Sequence, residues 1–181
     1  MARKTTYIIL FRGVGGATQL PTGPLREALT EAGFENARTY INSGNALVTS
    51  DRPLGQVAGQ IARIVKERFG FDKKLMLATA AEWARLVKQN PYREAAREPR
   101  SLHAFLLEKA PARHAAEALA ARAAAHERVT VLGKVLYFHA PEGFGTSKLP
   151  PVIDKTLGVA STARNWNTVL KLLELAKAHG A

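Results

Sequence analysis

Two short polar stretches hold the residues with most to offer chemically. The first is Arg12-Gly13-Val14-Gly15-Gly16, an arginine opening a loop that carries three glycines. A guanidinium grips carboxylates and phosphates through paired N–H donors. Glycines lack a Cβ, so backbone N–H groups around them can approach an anion closely. The plainer reading is a tight turn between a strand and a helix. The loop is neither a Walker motif, since Gly-Lys-Ser/Thr is missing, nor a dinucleotide fingerprint, since the glycine spacing fails. The second stretch is Thr39-Tyr40-Ile41-Asn42-Ser43-Gly44-Asn45. Ser-Gly between two apolar runs signals a hairpin, with glycine supplying positive φ. Tyr40, Asn42, Ser43 and Asn45 add hydroxyl and amide groups beyond what the turn requires. Asn and Ser also serve turn backbone groups, so a structural role competes with ligand binding. Ser43 does not read as a nucleophile: no histidine lies nearby in sequence to act as base, and no strand-to-helix elbow surrounds it.

Two smaller groups lie later in the chain. Ser147-Lys148 precedes a helix, where a lysine either meets an anion at the positive helix end or is simply solvated. Arg164-Asn165 introduces the last helix, with Asn165 placed to cap it and Trp166 on its buried stripe. The five histidines show no ligand spacing, the aspartates are scattered, and there is no cysteine. Metal catalysis, paired-carboxylate chemistry and cysteine chemistry therefore find no support, and no cofactor is expected.

The elements that must position these groups follow a repeated order. Tyr7–Phe11 is a continuous apolar run suited to a central strand. A helix opened by Pro24 and stopped by Gly33 carries Leu25, Ala28, Leu29 and Ala32. After the hairpin, a helix runs from Asp51 and Pro53 to about Phe69, its stripe formed by Leu54, Val57, Ala58, Ile61 and Val65. Gly70 ends it. Residues 74–79 form a fourth strand, and Thr79-Ala80-Ala81-Glu82 is a capping box opening a helix with Trp83. Residues 91–100, with two prolines and several charges, read as a linker. The order then recurs: a strand at 102–107, an alanine-rich helix at 111–126, a hairpin of 129–132 and 135–138, a helix ending at Gly158, a strand at 159–163 and a closing helix. The expectation is an α+β protein of two tandem ferredoxin-like βαββαβ units with antiparallel sheets, each followed by an extra helix. The boundaries are 1–90, 91–100 and 101–181.

Right-handed crossovers put the first two strands parallel, with the third antiparallel between them. The end of strand one then lies at the same rim as the hairpin between strands two and three, so Arg12, Gly13, Gly15 and Gly16 meet Tyr40, Asn42, Ser43 and Asn45. In the second unit Ser147, Lys148, Arg164 and Asn165 gather at the opposite rim. If the halves pack head to tail, the two clusters face each other across a cleft.

At these residues the chain resembles the family called domain of unknown function 1697. Its pattern is an Arg-Gly-Ile-Asn-Val-Gly-Gly loop and a Thr-Tyr-Ile-x-Ser-Gly-Asn hairpin, then Ser-Lys-Leu and Thr-x-Arg-Asn-Trp-Asn-Thr stretches. Here these are Arg12 to Gly16, Thr39 to Asn45, Ser147-Lys148-Leu149 and Thr162 to Thr168; Phe69-Gly70-Phe71 and Asn90-Pro91-Tyr92 are similar as well. The first loop is about two residues shorter and lacks the family's asparagine. The resemblance spans nearly the whole chain and implies the tandem fold, but brings no established activity.

With 181 residues, a net charge of +11 and a pI near 10.3, the chain favours an anionic partner. The charge is spread evenly: 11 basic against 6 acidic residues in 1–80, and 15 against 9 in 81–181. No apolar run is long enough for a membrane span and no secretory leader is evident, so a cytoplasmic location without membrane attachment is expected. Tyr7, Phe11, Phe105, Tyr137 and Phe138 sit where a sheet of this kind stacks RNA bases, but packing would use the same aromatics and is the favoured reading, and the RNA signature is missing. The leading reading is a binder of a phosphate-bearing small molecule or nucleic acid. An enzyme using arginine and amide electrostatics on a small anion, and a scaffold or oligomer-forming protein, are the alternatives.

Overall fold

The computed structural model describes residues 4–16, 18–42 and 44–178. Eight strands and six helices are β1 (Thr5–Phe11), α1 (Thr22–Glu31), β2 (Glu35–Tyr40), β3 (Asn45–Ser50), α2 (Leu54–Phe69), β4 (Leu75–Thr79), α3 (Ala80–Lys88), β5 (Leu102–Leu107), α4 (Arg113–Ala120), β6 (Arg128–Leu132), β7 (Val135–His139), α5 (Ile153–Leu157), β8 (Ser161–Asn165) and α6 (Trp166–Lys177). Short 3₁₀ turns cover Glu94–Arg97 and Pro150–Val152.

The strands form two four-stranded sheets in the orders β2-β3-β1-β4 and β6-β7-β5-β8, with every pairing antiparallel. The central strand β1 is buried from Tyr7 through Phe11, as a strand covered on both faces must be. One face, with Tyr7, Ile9, Phe11, Ala46 and Val48, packs on Leu25 and Leu29 of α1 and on Val57, Ile61 and Val65 of α2. In the second sheet Phe105, Leu107, Leu136 and Phe138 meet Leu119 of α4 and Ile153 and Leu157 of α5. Both units are therefore α+β, each a four-stranded sheet backed by helices.

The chain divides into two compact units, Met1–Arg85 with Leu172–Ala181, and Leu86–Lys171. The division falls inside α3 and α6, so the last turns of α6 belong to the first unit. Residues 90–100 contain a 3₁₀ turn, and Asn90, Tyr92 and Ala95 within them are buried.

Several local expectations change. The Ser-Gly corner is wider than a two-residue turn: Tyr40 pairs with Asn45, leaving residues 41–44 as the loop. Leu54 is 38% exposed, and Ile64 takes its place on the buried stripe of α2. The alanine-rich helix stops at Ala120. Strand β8 lies two residues later than its apolar run suggests, because pairing with β5 sets Leu107 opposite Ser161 and His103 opposite Asn165. Other signals hold. Gly70 and Gly158 end their helices with left-handed φ of 63° and 66°. In the capping box, Glu82 N–H donates to Thr79 Oγ1 at 3.1 Å, and Thr79 N–H donates to Glu82 Oε2 at 2.7 Å.

Candidate functional site

At one rim of the first sheet the backbone brings three segments together. Phe11 N–H donates to the Gly44 carbonyl at 2.8 Å, joining the end of β1 to the hairpin. Arg12 N–H donates to the Lys74 carbonyl at 3.1 Å, joining it to the start of β4. Arg12 and the glycine loop thus stand beside the hairpin on one side and Lys73-Lys74 on the other. The two lysines are the residues the sequence pattern did not single out. Their only signal was a pair of cations directly before a strand that had to lie beside β1.

The loop itself is held by short-range bonds. Gly15 N–H donates to the Thr18 carbonyl at 2.7 Å and Thr18 N–H returns to the Gly15 carbonyl at 3.0 Å, closing a small turn. Gln19 Nε2 donates to the Gly16 carbonyl at 2.8 Å, and Lys73 Nζ to the Gly13 carbonyl at 3.0 Å. The Gly15 amide is therefore committed to the turn. The start of α1 lies at Thr22, well past the glycines. Gly15 and Gly16 have no other atom within 4 Å of where a Cβ would stand, so this part of the loop is open.

Across the rim, the hairpin residues divide by burial. Asn45 is 1% exposed and its Nδ2 donates to the Tyr40 carbonyl at 3.0 Å, which closes the loop internally. Tyr40 is half-buried, and Asn42 is exposed. Ser43 lies outside the described residues. Gly44 has φ of 79°, and a Cβ there would stand 2.6 Å from Val14 Cγ2 and 3.0 Å from Phe11 Cβ. Only glycine lets the hairpin seat against β1 and its loop. Ile41 adopts φ of 47° while 47% exposed, a conformation a β-branched residue rarely takes.

In the second unit the polar residues are drawn mostly into the fold. Arg164 is 9% exposed, and its Nη1 donates to Thr162 Oγ1 at 3.1 Å and to the Ala163 carbonyl at 2.7 Å. Burial lowers its pKa to about 10. Asn165 Oδ1 accepts from Thr168 N–H at 3.0 Å, the N-cap of α6, while Trp166 is buried. Ser147 Oγ accepts from Leu149 N–H at 3.0 Å; Lys148 is exposed. The five candidate aromatics, Tyr7, Phe11, Phe105, Tyr137 and Phe138, are all buried. None offers a face to a nucleic-acid base.

Two further polar features belong to this unit. Arg128 lies 4.7 Å over the Tyr92 ring, pairs with Glu94 at 2.6 Å and shares a 3.1 Å hydrogen bond with His139 Nδ1. Burial, then the Arg128 charge, lowers the His139 pKa. His103 stacks on Phe144 at 4.1 Å, and burial lowers its pKa to about 4. Its Nδ1 is buried without a partner among the described residues.

Among the described residues no group of three His, Cys, Asp or Glu could hold a metal ion, and no helix is long and apolar enough to cross a membrane. The fold and its two rims define a two-unit α+β protein. A solved structure similar to the chain is that of a conserved bacterial protein from Streptococcus pneumoniae, with a TM-score of 0.75 and 21% identity over 96% of this chain and 99% of that one. Residues 4–137 match the protein of unknown function DUF1697, and the chain belongs to that family. No curated protein matches.

Proposed function

We propose that the protein binds a small phosphate-bearing ligand at the rim of its first sheet, in the cytoplasm. The observation that carries this reading is the pair of backbone bonds from Phe11 to Gly44 and from Arg12 to Lys74. They collect Arg12, Lys73 and Lys74 around an open glycine loop, with Asn42 exposed beside it. Convergent cations and accessible backbone suit the charge and the several acceptors of a phosphate. In this reading Asn45 and Gly44 hold the hairpin, and Arg12, Asn42, Gly13 and Gly16 face the ligand. The burial of the sheet aromatics favours a small molecule over a single-stranded nucleic acid, which uses stacking platforms.

The frame is a tandem of two ferredoxin-like units. The support is that β2-β3-β1-β4 and β6-β7-β5-β8 are the same order in the same relative positions, with one helix inserted after the first and third strands of each.

A thermal-shift screen of nucleotides and phosphosugars tests the ligand. A hit at a hundredfold excess over Kd adds about 2.7 kcal/mol. The double substitution Arg12→Ala and Asn42→Ala is expected to remove the hit while leaving the ligand-free melting temperature in place. Binding retained in that variant removes the site. A hit that weakens by about 10³ or more between 50 and 200 mM salt, and only for oligonucleotides, transfers the case to nucleic acid.

A further inference from the structure

A cleft of about 510 Å³ lies at the rim of the second sheet where β7 ends and β5 begins, within Leu86–Lys171. Two β-turns form its walls. Glu98-Pro99-Arg100-Ser101 is closed by Ser101 N–H donating to the Glu98 carbonyl at 2.9 Å, and Ala140-Pro141-Glu142-Gly143 by Gly143 N–H donating to the Ala140 carbonyl at 3.0 Å. Each turn has proline at its second position, which fixes φ in advance. The turns are joined by Ala140 N–H donating to the Ser101 carbonyl at 2.8 Å, and the first is tied to α6 by Trp166 N–H donating to the Pro99 carbonyl at 3.3 Å. Asn167 completes the lining. Both walls are therefore closed by backbone bonds of their own, without help from a ligand.

The third position of each turn bears a charge, and the two are opposite: Arg100 on one wall, Glu142 on the other. The carboxylate of Glu142 is 3.5 Å from His126 Nε2, and Thr146 Oγ1 donates to the Glu142 carbonyl at 3.1 Å, which anchors that wall. Among the described residues, the side chains of Arg100 and Asn167 have no hydrogen-bond or ion-pair partner, while the Glu98 charge acts on His139. Between them Pro99, Ala140 and Pro141 supply apolar surface. The size falls within the range of small-ligand pockets.

We propose that this cleft binds a small zwitterion, a free amino acid or dipeptide. Arg100 takes its carboxylate as a paired hydrogen-bond fork, and Glu142 with Glu98 takes its ammonium. A ligand with only one of the two charges meets either Arg100 or the two carboxylates and leaves the other unmatched. The excess of carboxylate over cation in the lining contrasts with the +11 charge of the whole chain, and argues against a simple phosphate here.

The test is isothermal titration of the full chain with the common amino acids and a set of dipeptides at about 10 mM, a range that captures millimolar affinities. Each binder is repeated as its N-acetylated and its decarboxylated derivative. The expected result is saturable binding of at least one zwitterion, with a loss of about tenfold or more in each derivative and in Arg100→Gln and Glu142→Gln, as one charge-assisted bond requires. Both side chains are exposed, so the variants should melt with the native protein, and Lys155→Gln should bind as the native chain does. No saturation by any zwitterion, or binding indifferent to both substitutions, overturns the proposal. Because this cleft shares no residue with the Arg12 rim, a phosphate ligand at the first rim neither supports nor weakens it.

Discussion

His103 shows how one side chain couples burial to acidity. Its imidazole is stacked beneath Phe144, with Nδ1 cut off from solvent and from any described partner. Charging it there removes hydration without return, so its pKa falls from 6.5 to about 4. The sign follows from proton counting. Near pH 6.5 the unfolded chain takes up a proton that the native chain refuses until about pH 4, so stability is whole above 6.5 and drains away across that interval. The loss is at most about 3 kcal/mol. His103→Phe keeps an aromatic ring against Phe144 and abolishes both the titration and the stranded nitrogen. Urea midpoints at pH 7 and pH 4.5 should show a smaller acid loss in the variant than in the native chain. Equal losses would mean that the site is wetter than its packing indicates.

At the scale of elements, hydrophobic pattern was legible and exact boundaries were not. Continuous burial of β1 could be read from Tyr7–Phe11, and the capping box and helix-ending glycines from single positions, because each rests on local chemistry. The length of α4 could not. Alanine propensity favours helix through residues 121–125, but Leu119 is the last large buried side chain, and packing rather than propensity decides where a short helix ends. After it, Arg122 and Ala123 form 3₁₀-type bonds, and Glu127 Oε2 accepts from Ala124 N–H at 3.0 Å. The hairpin is a mixed case. Its meeting with the Arg12 loop followed from strand direction. The capping role of Asn165 and a turn role for Asn45 could be read; that Arg164 is drawn into the fold could not, since a guanidinium bonded to its own strand and one that meets a ligand look alike in sequence. Gly44 is the position on which the hairpin's seating depends. Gly44→Ala combines left-handed strain with a 2.6 Å approach to Val14, and should cost about 2–4 kcal/mol in urea denaturation. Gly16→Ala, with φ of 57° but open space around it, should cost only about 1 kcal/mol. Equal costs would show that the hairpin is not braced against that loop.

For the molecule as a whole, the two sheets repeat one arrangement while the units are not two consecutive lengths of chain. Leu172 and Ala176 are buried, and both fall in the stretch counted with the first unit. Sequence could not show this, because a helix following the second sheet reads as that sheet's own. Deletion of residues 172–181 should therefore destabilise the first unit by several kcal/mol, at the scale of removing buried leucine. Amide exchange reports it: protection should fall at Ile8, Ile9 and Leu10 of β1, and not only in β5 and β8. Protection of β1 left at the native level would mean that the first sheet stands without those turns.

The placement of the end of α6 also bears on biosynthesis. A first unit that waits for residues near 172 stays incomplete while some 86 intervening residues emerge from the ribosome. At ordinary elongation speeds this is on the order of ten seconds. During that interval the apolar strand Tyr7–Phe11 belongs to a unit still short of its last segment, so nascent chains arrested midway should be captured by chaperones more readily than the finished protein.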